Sequence, residues 1–342
     1  MATIKDVAKH AGVSVTTVSR VINNSAPVNQ ETKQRVLKAI EELNFSPSII
    51  AQGLRTKRSK TIGFLMPDYL NPFYHELLKY LEDEARKEGY HILLSSTGDD
   101  YSYEINYIND LINRNIDGII ICSYSGSENT IDYLLNLSKK MPVVFLDNIN
   151  VRSSVNAVFT DGYKGIKEVT QHLIKLGHRK IAFIKGLSKY KVANDRFLGF
   201  MDALKENEIP ILNDYIFEGD YNIKSGYEAA QYFLSLNNIP TAIVSSTDLM
   251  AIGAINYIKS KGLEIPQDIA IAGFDDIYLS KIVSPPLTTY KQPIKQIAKQ
   301  TISLFIHKLN HPRSKNKQIK LEGQLLIRYS TDINASKIEL IE

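Results

Sequence analysis

The chain has 342 residues, 44% of them apolar, and a formal net charge of +4. That length and apolar content suit two or three domains with full cores. The single Cys122 excludes an intramolecular disulfide framework, no apolar run nears the ~20 residues of a membrane span, and the polar start MATIKDVAKH is expected to be no secretory signal, so a cytoplasmic protein is expected.

The first element is a pair of short helices in Thr3 to Asn23, TIKDVAKHAGVSVTTVSRVIN. Thr3 and Asp6 have capping-box spacing, and Ile4, Val7, Ala8 and Ala11 recur on one helical face. Gly12 ends that helix, and Ser14 is a good N-cap for a second one that buries Val18, Val21 and Ile22. Two short helices about a glycine turn make a helix-turn-helix. Val15, Thr16, Thr17, Ser19 and Arg20 are expected on its exposed front, with side chains suited to base edges and phosphate.

After the turn-rich NNSAPV, Asn29 caps a third helix from Gln30 to Leu43, with Val36, Leu37, Ile40 and Leu43 inward. Ser48 to Arg55 then reads as a short helix weakened by Gly53, too short to persist without a partner. Residues 1–60 carry ten basic against four acidic side chains, leaving 31 basic and 33 acidic in the remainder. A basic head on a slightly acidic body points to a head that meets phosphate.

From Thr61 the pattern changes. Apolar runs at 61–66, 91–96, 118–123, 143–147, 181–186, 215–219, 241–246 and 269–274 alternate with amphipathic helices. Continuous apolar strands between such helices indicate parallel sheets covered on both faces. The expected fold class is α/β: an all-α helix-turn-helix headpiece (1–46), a hinge helix and linker (47–60), then a core of two doubly wound lobes. Lobe 1 is expected over about 61–155 plus 293–320, and lobe 2 over about 156–290 plus 323–342.

Ligands of such sheets bind beyond the carboxyl ends of the strands, and a cleft between two lobes uses both sets. Polar residues at those ends include Asp147, Asn194, Arg196, Asp220, Tyr221, Thr247, Asp248, Asp275 and Asp276. Carboxylates, one arginine, amides and aromatics suit a polyhydroxylated ligand, whose hydroxyls donate and accept while its ring stacks on Phe or Tyr. Asp248 is expected to cap the helix that follows it. The nucleotide-binding, zinc-protease and serine-hydrolase signatures are missing, and no cofactor, metal site or catalytic residue is nominated.

The whole chain resembles the lactose/galactose-repressor family of bacterial regulators. The resemblance rests on the head, on SPSIIAQGLR, NPFYHEL, IDGIIIC, LGHRKIAFIKG, DRFLGFMDAL, PTAIVSSTDLMAIGA, IPQDIAIAGFDD and PPLTTYKQP. It implies a headpiece, a hinge helix and a core shaped like periplasmic sugar-binding proteins, assembled as a dimer on a pseudo-palindromic operator in double-stranded DNA. Leu54 stands at the position of the family's minor-groove wedge. The implied DNA set is Thr3, Ser14, Val15, Thr16, Thr17, Ser19, Arg20, Asn23, Leu54 and Arg55, and the implied effector set is Phe73, Asp147, Tyr190, Asn194, Arg196, Tyr221, Thr247 and Asp275. Gln52 departs from the arginine of many members. Lys295, Gln296 and Ser303 replace the Tyr, Asp and Arg of catabolite-control members, which argues against a protein corepressor. Tyr190 replaces the arginine of purine-type members, so a sugar or sugar phosphate, ribose first, is expected. The reading is a sugar-responsive, non-enzymatic transcriptional repressor; a sugar-binding sensor without DNA function and a phosphoprotein-dependent regulator are the alternatives.

Overall fold

A computed structural model describes residues 2–23, 26–45, 58–98, 103–122, 128–146 and 155–335. The expected hinge helix with Leu54 and Arg55, the side chain of Asn23, and Asp147 lie outside the described residues. The chain divides into two compact units, residues 1–60 and 61–342.

The first unit holds three helices: α1 (Ile4–Ala11), α2 (Val15–Asn23) and α3 (Gln30–Glu42). The capping box forms: the Thr3 amide donates to Asp6 Oδ2 at 2.8 Å, and the Asp6 amide donates to Thr3 Oγ1 at 3.4 Å. Gly12 closes α1 at φ +63°, a left-handed conformation that costs glycine little. Val7, Ala8, Ala11, Val18, Val21, Val36 and Ala39 form the shared core. Leu37, expected to face inward, is instead 49% exposed, because Val36 and Ala39 take the inner stripe of α3. Arg35 Nη2 donates to Ala11 O at 2.6 Å, so α3 satisfies an orphan carbonyl at the end of α1.

The second unit contains two six-stranded sheets. In chain order its elements are β1 (Thr61–Met66), α4 (Pro72–Lys87), β2 (His91–Ser96), α5 (Glu104–Asn113), β3 (Gly118–Ile121), α6 (Glu128–Leu137), β4 (Val143–Phe145) and β5 (Asn156–Thr160). Then come α7 (Gly162–Lys175), β6 (Ile181–Lys185), α8 (Lys191–Glu206), β7 (Ile216–Glu218), α9 (Ile223–Leu234), β8 (Ala242–Ser245) and α10 (Asp248–Ser260). The last are β9 (Ala270–Asp275), α11 (Tyr278–Ile282), β10 (Thr288–Lys291), α12 (Ile294–Asn310), β11 (Gln318–Leu321) and β12 (Gln324–Leu326). The first sheet runs β11-β5-β4-β3-β1-β2, and the second β12-β10-β9-β8-β6-β7. All pairs are parallel except β10 with β12. Each sheet is packed on both faces, which is why its strands read as unbroken apolar runs.

One boundary differs from the expectation. Residues 156–160, assigned above to lobe 2, form β5 between β4 and β11 of the first sheet. The chain therefore leaves lobe 1 at Asp161, returns between β10 and α12, and crosses again between β11 and β12. Lys320 pairs with Asp161 at 2.7 Å and Lys164 with Glu322 at 2.6 Å, so ion pairs bracket two of these crossings.

Candidate functional site

In the headpiece the front of α2 is the candidate nucleic-acid surface. Val15, Thr16 and Arg20 are exposed. Arg20 borders a shallow groove with Gln30 and Lys33, which adds a second positive charge beside it. Ser14 caps α2 by accepting from the Thr17 amide at 3.1 Å, and its hydroxyl meets that of Thr17 at 2.9 Å. These two hydroxyls, like that of Thr3, are engaged locally in shaping helix starts. Ser19 is a correction: it is buried at 8% exposure, on the side of α2 turned inward next to Val18, and does not belong to the exposed front.

In the core, a cavity lies between the carboxyl ends of both sheets. Lobe 1 contributes Asn71, Phe73, Tyr74, Cys122, Phe159 and Thr160, and lobe 2 contributes Val192, Asp195, Arg196, Tyr221, Thr247 and Asp275, with Gln292 from a crossing segment. Four of the expected effector residues other than Arg196 are thus among its lining: Phe73, Tyr221, Thr247 and Asp275. The cavity is small, with a volume of about 50 Å³.

Arg196 and Asp275 set the chemistry. Arg196 projects from the second turn of α8, buried at 8% exposure. Its Nη1 donates to Ser246 O at 2.7 Å, its guanidinium lies 3.9 Å from the Phe274 ring centre, and Nη2 stands 4.0 Å from Asp275 Oδ1. Gly162 makes room for this arm: a Cβ there would come within 3.1 Å of Arg196 Cγ. Asp275 ends β9 at φ +129°, a strained conformation for a non-glycine residue, and accepts from Gln292 Nε2 at 2.7 Å. Burial pushes its carboxyl up to about 6, against the pull of Arg196 and of the Gln292 hydrogen bond. Burial, reinforced by Asp275, pushes the Asp248 carboxyl well up too.

Three expectations need correction. Thr247, not Asp248, caps α10, accepting from the Met250 amide at 3.5 Å. Asp248 is fully buried and joins segments instead, accepting from Thr289 Oγ1 at 2.6 Å and the Ile277 amide at 3.0 Å. Asn194 is exposed and donates to Ser188 O at 2.7 Å, so it braces the entry to α8 rather than lining the cavity. Tyr190 does not line it either; the ring is buried in the lobe 2 core, 6.3 Å from that of Tyr221. Asp276, beside the site, is held by Arg328 at 2.7 Å in a buried pair. Thr160, which ends β5, Asp195, in the second turn of α8, and Gln292, which follows β10, also line the cavity and were not among the expected effector residues.

Residues 3–48 match the family model described as bacterial regulatory proteins, lacI family. Residues 59–329 match the model described as periplasmic binding proteins and sugar binding domain of LacI family. The chain is 34% identical, over 96% of its length and 98% of the relative's, to the HTH-type transcriptional repressor PurR of Mannheimia succiniciproducens. It is similar to the crystal structure of the lac repressor dimer bound to operator and the anti-inducer ONPF, at 28% identity and a TM-score of 0.87, covering 96% of this chain and 99% of that one. A LacI family transcriptional regulator from Enterococcus faecium, with bound ribose, matches at 27% identity and a TM-score of 0.71, covering 79% and 98%.

Proposed function

Because the chain belongs to the lacI family of bacterial regulatory proteins and is a DNA-binding transcriptional repressor, we propose that a small sugar-type effector, bound between the core lobes at Arg196 and Asp275, sets its affinity for operator DNA. The observation that carries this reading is a buried guanidinium and a buried carboxylate facing one small cavity lined from both lobes. Together they offer donors and acceptors to vicinal hydroxyls, while Phe73, Phe159 and Tyr221 offer apolar faces to the ring. The ribose bound to the similar Enterococcus faecium regulator supports a pentose as the first ligand to try.

The protein acts in the cytoplasm as a homodimer. Two copies of α2 enter successive major grooves of a pseudo-palindrome, where Val15, Thr16 and Arg20 read base edges. Leu54 wedges into the minor groove at the centre, unstacking one step and bending the duplex. Effector binding changes the closure of the lobes, and closure alters how the two hinges meet on DNA.

The kinship with PurR repressors favours a purine effector as the second reading. Against it, Arg196 is the one cation lining the cavity among the described residues, and a tyrosine buried in the lobe 2 core occupies position 190. Titration calorimetry of the full chain with D-ribose, other free sugars, hypoxanthine and guanine separates the two. Heat from a sugar and none from either purine is the expected result, and the reverse would replace the sugar reading by the purine one.

A further inference from the structure

Two buried polar atoms on the cavity wall have no hydrogen-bond partner among the described residues, and they come from opposite lobes. One is Thr160 Oγ1 at the end of β5; the other is Arg196 Nε on α8. A buried polar atom left unsatisfied is costly, so two of them on residues that line one cavity, from opposite lobes, mark where polar atoms of a guest belong. Arg196 Nη1 is already spent on Ser246 O, which leaves the Nε–Nη2 edge to the guest. That edge is not free for an anion, because Asp275 Oδ1 lies 4.0 Å from Nη2. The other carboxylate on the wall, Asp195, is held by Lys191 at 2.7 Å, so that pair adds no net positive charge. Among the described lining residues no second arginine stands ready to answer a phosphate, which would be desolvated beside a carboxylate, whereas a hydroxyl can both accept from Arg196 and exchange a hydrogen bond with Thr160.

Building on the sugar reading above, we infer that the effector is a neutral, unphosphorylated polyol that bridges the lobes through Thr160 on one side and Arg196 on the other, which makes Thr160 a specificity-determining residue. Valine is close to threonine in shape but has no hydroxyl, so Thr160→Val leaves the Arg196 end of the bridge intact and removes the other. Thr160→Ser keeps the hydroxyl.

The test is calorimetry on the full chain and on both variants with D-ribose, D-xylose, L-arabinose, D-glucose, D-galactose, ribose 5-phosphate, glucose 6-phosphate and hypoxanthine. At least one free sugar is expected to bind, its phosphate ester about tenfold or more weaker; Thr160→Val is expected to weaken the free sugar about tenfold and Thr160→Ser to stay near wild type. Thermal unfolding without sugar, measured in parallel, checks that all three proteins are folded. A phosphate ester that binds as tightly as its parent sugar overturns the inference, as does undiminished sugar binding by Thr160→Val; both outcomes leave the sugar reading standing. Silence from every free sugar overturns the inference, and with hypoxanthine bound it overturns the sugar reading as well.

Discussion

Replacing Asp275 by asparagine removes a charge from a buried position and keeps its shape. The carboxyl is 5% exposed, and burial lifts it from 3.8 to about 6 although Arg196 and Gln292 both favour its ionised form. At ~1.4 kcal/mol per unit, ionising it costs the native state about 3 kcal/mol at neutral pH. Its pKa is higher folded than unfolded, so its contribution to stability is complete below about pH 4 and is lost as pH rises through about 6. Asparagine imitates the neutral form: its oxygen can still accept from Gln292 Nε2, and it tolerates positive φ better than most residues. Asp275→Asn should therefore be more stable than wild type by about 3 kcal/mol at pH 7.5, and by about half of that at pH 5. Scanning calorimetry without effector should show a midpoint about 6 °C higher at pH 7.5 and a narrowing gap toward pH 5. Effector binding should fall in the same variant, because an amide nitrogen replaces one of the two acceptor oxygens offered to sugar hydroxyls. A variant less stable than wild type at pH 7.5, or a gap indifferent to pH, would refute the reasoning.

Two further outcomes are expected from single substitutions. Arg20→Ala should cost about 1–3 kcal/mol on operator DNA and much less on random DNA, read by fluorescence anisotropy; equal losses would make Arg20 a phosphate contact only. Arg328→Met should cost about 3 kcal/mol of core stability by leaving buried Asp276 with only the half-exposed Lys291 at 3.7 Å, and urea unfolding followed by circular dichroism will measure it.

Local patterns were the legible ones. The capping box of Thr3 and Asp6 spans four residues, and both of its hydrogen bonds are fixed by one helical turn. The parallel sheets announced themselves because a strand covered on both faces must be apolar throughout, as in β1 and β9. Arg196 and Asp275, expected beyond the strand ends of a doubly wound sheet, do line the cavity there. What stayed hidden depends on partners far along the chain. Arg35 reaches Ala11 across 24 residues, and nothing near Arg35 announces it. Ser19 has the composition of a contact residue, but how α2 packs in the headpiece decides which side it faces. The strand at 156–160 was passed over, and with it the lobe boundary, since its five residues gain their place only by pairing with β4 and β11. Asn194 and Arg196, two residues apart on one helix, point about 200° apart, so only the fold separates a brace from a residue that lines the cavity.

Operator binding titrated with and without the free sugar found by calorimetry, in wild type and Arg196→Met, tests the central claim most directly. Methionine keeps an apolar stem in the wall but removes the guanidinium. Saturating sugar is expected to shift wild-type operator affinity about tenfold or more, a coupling typical of allosteric regulators, and to leave the variant's affinity where it stood. A sugar that binds the wild-type cavity without moving operator affinity, or a variant that responds as wild type does, would contradict it.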